Sequence, residues 1–150
     1  MKQGLLFIII LSLLGLMTAC NTSVARPETD SSQPTTATFA TQSNDEQSVT
    51  VEVTPLNLST GAASLDFTVV FDTHSVQLNF DPAAISVLRD DAGREYPVLA
   101  WEENASGSGH HKSGLLRFKA PEQATKFVEV IVRDVADVPE RVFRWDLSGE

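Results

Sequence analysis

This sequence predicts an all-β fold: an antiparallel β-sandwich of about seven to eight strands. Three observations predict it. From Val49 onward, apolar residues alternate with polar ones in short segments. Clusters of Gly, Pro, Asp and Ser separate those segments. No stretch holds a 3.6-residue period long enough for a substantial helix. Alternation with a period of two puts one side chain in and the next out, the signature of a half-buried strand.

The chain begins with something else. Lys2 precedes an apolar run over residues 5–17, and Thr18 and Ala19 lead to Cys20. A basic start, an apolar core and small residues before a cut form a secretory signal. The run falls short of the roughly 20 residues a membrane-spanning helix needs. Cys20 is the chain's single cysteine. Met17-Thr18-Ala19-Cys20 resembles the lipobox of bacterial lipoproteins, with Met17 where leucine is usual and Thr18 where serine or alanine is usual. The resemblance implies a signal peptide over residues 1–19, cleavage before Cys20, lipidation of its sulfur and acylation of the new amino terminus. It also implies an extracytoplasmic protein anchored in the cell membrane. Asn21, in place of Asp at the next position, permits sorting to the outer membrane where the organism has one. A single acyl chain binds a bilayer marginally, and two or more hold it stably.

Residues 20–47 are expected to form a lipidated cysteine followed by a disordered linker rich in Ser, Thr and Pro. Val24 and Phe39 are its only large apolar residues, too few to offset the entropy of ordering the chain. Such a tether of about 27 residues spans roughly 30 Å on average. The formal net charge is −9, from 11 basic and 20 acidic residues, and loss of Lys2 with the signal makes it more negative. An acidic chain is repelled by nucleic acid and anionic headgroups, so no nucleic-acid partner is expected. With no second cysteine there is no internal disulfide, and stability must come from a core.

The domain is expected over residues 48–150. Val49, Val51 and Val53 alternate on one phase, then Leu65, Phe67, Val69 and Phe71. The apolar phase switches from odd to even between Phe71 and Val76, so the chain is expected to turn at residues 72–75. Val76, Leu78 and Phe80 read as the next strand, followed by strands around residues 85–87, 96–101, 115–118, 127–132 and 142–147. Turns fall at Ser59-Thr60-Gly61, Asp81-Pro82, Asp91-Ala92-Gly93, residues 106–109, Ala120-Pro121 and Val138-Pro139. Trp101 and Trp145 each lie within an alternating strand and read as core rings. Val87-Leu88-Arg89-Asp90-Asp91-Ala92-Gly93-Arg94-Glu95-Tyr96 resembles the strand–turn–strand unit of Ig-like domains in bacterial surface lipoproteins. The resemblance implies an Ig-like sandwich.

Candidate chemistry is concentrated in three histidines: His74, and the adjacent His110 and His111 beside Ser106-Gly107-Ser108-Gly109. Imidazole is the commonest ligand for copper and zinc, and Asp72, Glu102 or Glu103 are available to complete a site. If strands simply alternate direction, the turn at residues 72–75 and the His110-His111 loop lie at opposite ends. If residues 64–80 form one long bulged strand, the two meet. Asp90, Asp91 and Glu95 offer the oxygen ligands calcium prefers.

Other chemistries are excluded. With no cysteine beyond Cys20, blue-copper, cysteine–zinc and thiol chemistry have no ligands. No H-E-x-x-H, G-x-S-x-G or phosphate-cradling loop is present. The expectation is a non-catalytic, lipid-anchored binding or accessory module of the bacterial envelope, with no required cofactor. It would act on an envelope protein or ligand through loops or a sheet face. The alternative is copper or zinc binding through His110 and His111, with His74.

Overall fold

The computed structural model describes residues 39–59, 61–105 and 109–147. The segment expected to be a signal peptide, Cys20 and most of the expected linker lie outside the described residues. The described chain runs β1 (Gln42–Glu46), β2 (Val49–Asn57), β3 (Ser64–Thr73), α1 (Pro82–Ile85), β4 (Ser86–Asp90), β5 (Glu95–Tyr96), β6 (Val98–Glu103), β7 (His111–Lys119), β8 (Phe127–Val135) and β9 (Val138–Asp146). Two sheets form, of order β1-β2-β3-β7-β6 and β5-β4-β8-β9, and every pairing is antiparallel. The result is an antiparallel β-sandwich of the Ig-like class. No helix among the described residues is long and apolar enough to cross a membrane.

The alternation sets the two inner faces. Val49, Val51 and Val53 stand opposite Thr73, Phe71 and Val69 in the β2–β3 register, and all six are buried. Leu88, Val128, Val130, Val132, Phe143 and Trp145 line the inside of the second sheet. Phe67 joins the layers, meeting Phe118 edge-on at 5.7 Å and Trp145 at 5.5 Å. Each large apolar side chain withdrawn from water stabilises the fold by about 1.5–3 kcal/mol. Trp145 is the core ring expected, and its indole N–H donates to Ala40 O at 2.9 Å. Trp101 is only partly buried and packs against the core's margin.

Three elements differ from the sequence reading. Residues 42–46, placed in the linker, form β1, so the fold starts ahead of residue 48. The segment is wholly polar and gives no alternation, because as an edge strand it is held by backbone pairing and polar contacts. Val76, Leu78 and Phe80 do point toward the core, but they belong to no sheet. Here the extended backbone crosses the end of the sandwich, Leu78 is buried, and Phe80 meets Phe71 at 5.1 Å. The strand expected over residues 96–101 is broken at Pro97, which has no N–H to donate. β5 therefore joins one sheet and β6 the other. Between the crossing segment and β4, Asp81 Oδ1 accepts from Ala83 N at 2.9 Å and caps the short turn α1, with Pro82 in its first position.

Candidate functional site

One end of the sandwich gathers the β1–β2 turn, the end of β3, the start of β7 and the β8–β9 turn. His74 and the His110-His111 pair therefore share an end, contrary to simple strand alternation. With residues 76–80 forming no strand, the count between β3 and β7 changes by one and the two strands run antiparallel.

The two segments are stitched together. Thr73 N–H donates to His110 O at 3.0 Å, and Leu78 N–H donates to Gly109 O at 3.1 Å. His110 Nδ1 lies 3.1 Å from Val76 O. A carbonyl oxygen only accepts, so Nδ1 carries the proton, and Nε2 accepts from the Gln77 amide at 3.4 Å. His111 faces the opposite way, as adjacent strand residues do, and its Nδ1 lies 3.1 Å from Asp72 Oδ2. His74 is exposed in the following turn. Proximity in the fold thus does not converge the three rings. Among the described residues, no three His, Cys, Asp or Glu side chains are grouped so as to hold a metal ion.

Beside this cluster the outer faces of β1, β2 and β3 form an open trough of about 520 Å³. Val70 is the one apolar residue among those lining it. Asp45, Glu52 and Asp72 supply carboxylates, Ser48, Thr50, Thr73 and Ser75 supply hydroxyls, and His74 stands at the rim. Thr73 Oγ1 shapes that rim: it donates to Ser48 O at 2.7 Å and accepts from the N–H groups of Ser75 and Val76 at 3.3 and 3.2 Å. The surface suits hydrogen bonding to a polar or positively charged partner. Sequence reasoning singled out Asp72 and His74 alone. Thr50, Glu52 and Val70 were legible as the outward phase of two alternating strands, whereas Asp45 and Ser48 carried no signal.

At the opposite end, the three oxygen ligands considered for calcium are occupied separately. Asp90 is 1% exposed. It accepts from the N–H groups of Ala92 and Arg94, both at 2.9 Å, from Arg94 Nε at 2.7 Å and from the Tyr96 hydroxyl at 2.8 Å. Burial opposes its charge, but these hydrogen bonds outweigh that and hold its carboxyl below the usual range. Asp91 accepts from Thr125 Oγ1 at 2.6 Å, and Glu95 pairs with Arg133 at 2.6 Å. Gly93, at φ 77°, supplies the left-handed residue this turn requires. The corner fastens β4 to β5.

No family model matches the chain, and no curated protein matches it. A solved structure of a DUF4426 family protein from Pseudomonas aeruginosa PAO1 is similar at 16% identity, over 71% of this chain and 91% of that one, with a TM-score of 0.40. At that score the likeness carries no argument.

Proposed function

We propose that this chain is a non-catalytic, lipid-anchored binding module of a bacterial cell envelope, tethered outside the cytoplasm through Cys20. The observation that carries the reading is the position of Cys20, the chain's one cysteine, directly after a basic start, an apolar run and Met17-Thr18-Ala19. A durable anchor needs two acyl chains or more, and lipidation at both the sulfur and the new amino terminus supplies them. The linker then carries the sandwich beside the membrane. The trough formed by β1, β2 and β3 is the surface through which it engages an envelope protein or ligand, because it is open, rich in carboxylates and hydroxyls, and built mostly on sheet strands.

The test is metabolic labelling of the full chain with a fatty-acid probe, followed by mass spectrometry of the mature amino terminus. Wild type should label and begin at Cys20, and Cys20→Ser should lose the label and leave the membrane fraction. A labelled Cys20→Ser chain, or a mature terminus elsewhere, overturns the reading.

A further inference from the structure

Arg141 is 1% exposed in the interior of the domain, on the inward phase of β9 shared by Phe143 and Trp145. No carboxylate accepts from it among the described residues. Its guanidinium donates to carbonyl and amide oxygens: Nη1 to Val49 O at 3.0 Å, to Asn44 O at 3.4 Å and to Asn44 Oδ1, and Nη2 to Glu46 O at 2.9 Å and to Val135 O at 3.5 Å. Three of those five acceptors belong to β1. The Gln42 side-chain amide also straddles the outer edge of β9, with its Oε1 accepting from Arg144 N–H at 3.1 Å and its Nε2 donating to Arg144 O. Just ahead of β1, Trp145 Nε1 donates to Ala40 O. The arm over residues 40–46 is thus held by β2 through backbone pairing and by three consecutive features of β9 through polar contacts.

No residue of β1 is buried, and the arm's one apolar contact with the core is Phe39, partly buried just ahead of Ala40. Its connection to β2 is a two-residue turn in which Gln47 and Ser48 have φ of 49° and 63°. Hairpin turns of this kind favour Asn-Gly, because side chains with a Cβ resist the left-handed region. The β8–β9 turn is similarly strained at Ala136 and Asp137, but there both strands carry buried residues along their length. The β1–β2 turn alone joins a strained hinge to a strand without a core contact. Opposing its release are the ladder with β2, the contacts with Arg141, Arg144 and Trp145, the packing of Phe39 and the bond from Thr73 Oγ1 to Ser48 O.

We propose that β1 is an exchangeable strand, traded between two copies of this chain to give a domain-swapped pair. An extended hinge at Gln47–Ser48 relieves both left-handed residues. The slot it leaves does not stay empty, since a buried guanidinium that loses three of its five acceptors is strongly disfavoured. A second copy's residues 40–46 restore every bond, with Asn44 and Glu46 on Arg141, Gln42 on Arg144 and Ala40 on Trp145. The slot therefore recognises this chain's own segment, and exchange is isologous. Short strained hinges promote such swaps.

The experiment uses full chains in the membrane. Ser43 and Glu52 are cross-strand partners in the β1–β2 register, so one copy carries S43C and a co-expressed copy carries E52C. Mild oxidation should give a covalent heterodimer that neither single variant forms with wild type, which also controls for Cys20. Adding Q47N and S48G to both copies, which suits the tight turn, should lower its yield several-fold. Ser48→Pro, which cannot adopt the observed φ, should raise it. Two results overturn the proposal. One is that a chain carrying both cysteines closes on itself while the co-expressed pair forms no heterodimer. The other is a heterodimer yield that ignores the hinge substitutions, which marks mere collision. Should Ser48→Pro fail to fold, the wild-type and Q47N/S48G hinges decide the matter.

Discussion

Gly114 on β7 and Trp101 on the neighbouring β6 occupy one volume. A Cβ at Gly114 would lie 2.7 Å from the indole Cη2 of Trp101 and 2.4 Å from the Glu102 carbonyl oxygen. The indole covers the gap the glycine leaves near the sheet's edge, an aromatic supporting an otherwise weak strand position. Gly114→Ala must therefore move a ring and a backbone together. It is expected to cost about 1–3 kcal/mol, read as a lower thermal midpoint with red-shifted tryptophan emission. A midpoint and emission unchanged from wild type would show the packing to be looser than described.

Asp90 makes the sandwich sensitive to acid. Its carboxyl titrates below 3.8, the ordinary value from which it is lowered, so the folded state holds its charge more firmly than the unfolded one. The stability this supplies is complete above the ordinary value and is lost as pH falls past 3.8 through the folded value. Asp90→Ala, which leaves the N–H groups of Ala92 and Arg94 and the Tyr96 hydroxyl without their acceptor, is expected to cost on the order of 3 kcal/mol at neutral pH. Asp90→Asn should flatten the acid limb of a denaturation series. Equal slopes for Asn and Asp below pH 3.8 would sink the assignment.

These two sites mark what was legible in the sequence. Period-two alternation identified β2, β3, β7, β8 and β9, because each buries one face and leaves the other wet. The phase change after Phe71 was real and the turn there exists. Val76, Leu78 and Phe80 then misled, since any extended segment alternates whether or not it finds a ladder. That single surplus strand separated His74 from His110 and His111 in the expected topology, although they share an end. β1 was invisible for the opposite reason: a polar edge strand has no buried face, and what fixes it is an arginine some 97 residues away from Asn44. Arg141 itself shares the inward parity of Phe143 and Trp145, and that was the one available sign of its burial.

The trough gives a positional test of the proposed binding surface. A photo-crosslinking residue at Thr50, inside it, should trap an envelope component in intact cells. The same residue at Glu140, on the outer face of the other sheet, should not. Charge reversal by Glu52→Lys with Asp45→Lys should abolish the Thr50 adduct while leaving the fold nearly as stable, since both side chains lie at the surface of sheet strands. Adducts of equal yield from Thr50 and Glu140 would remove the trough from consideration.

His110 acts as a clasp between the crossing segment and the start of β7. Its Nδ1 holds Val76 O, its Nε2 faces Gln77, and its backbone carbonyl holds Thr73 N–H. His110→Ala keeps the backbone bond and removes the two side-chain contacts, while His111→Ala removes only a half-exposed partner of Asp72. Loss of a single neutral hydrogen bond costs about 0.5–1.5 kcal/mol, so His110→Ala should lower stability by about that much. The loss is local, so hydrogen exchange at Val76, Gln77 and Leu78 should quicken more than exchange in β8, whose Val128, Val130 and Val132 lie in the core. His111→Ala should leave both regions close to wild type, because half-exposed polar pairs contribute little. Faster exchange at Leu78 in His111→Ala than in His110→Ala would reverse the roles given to the two rings.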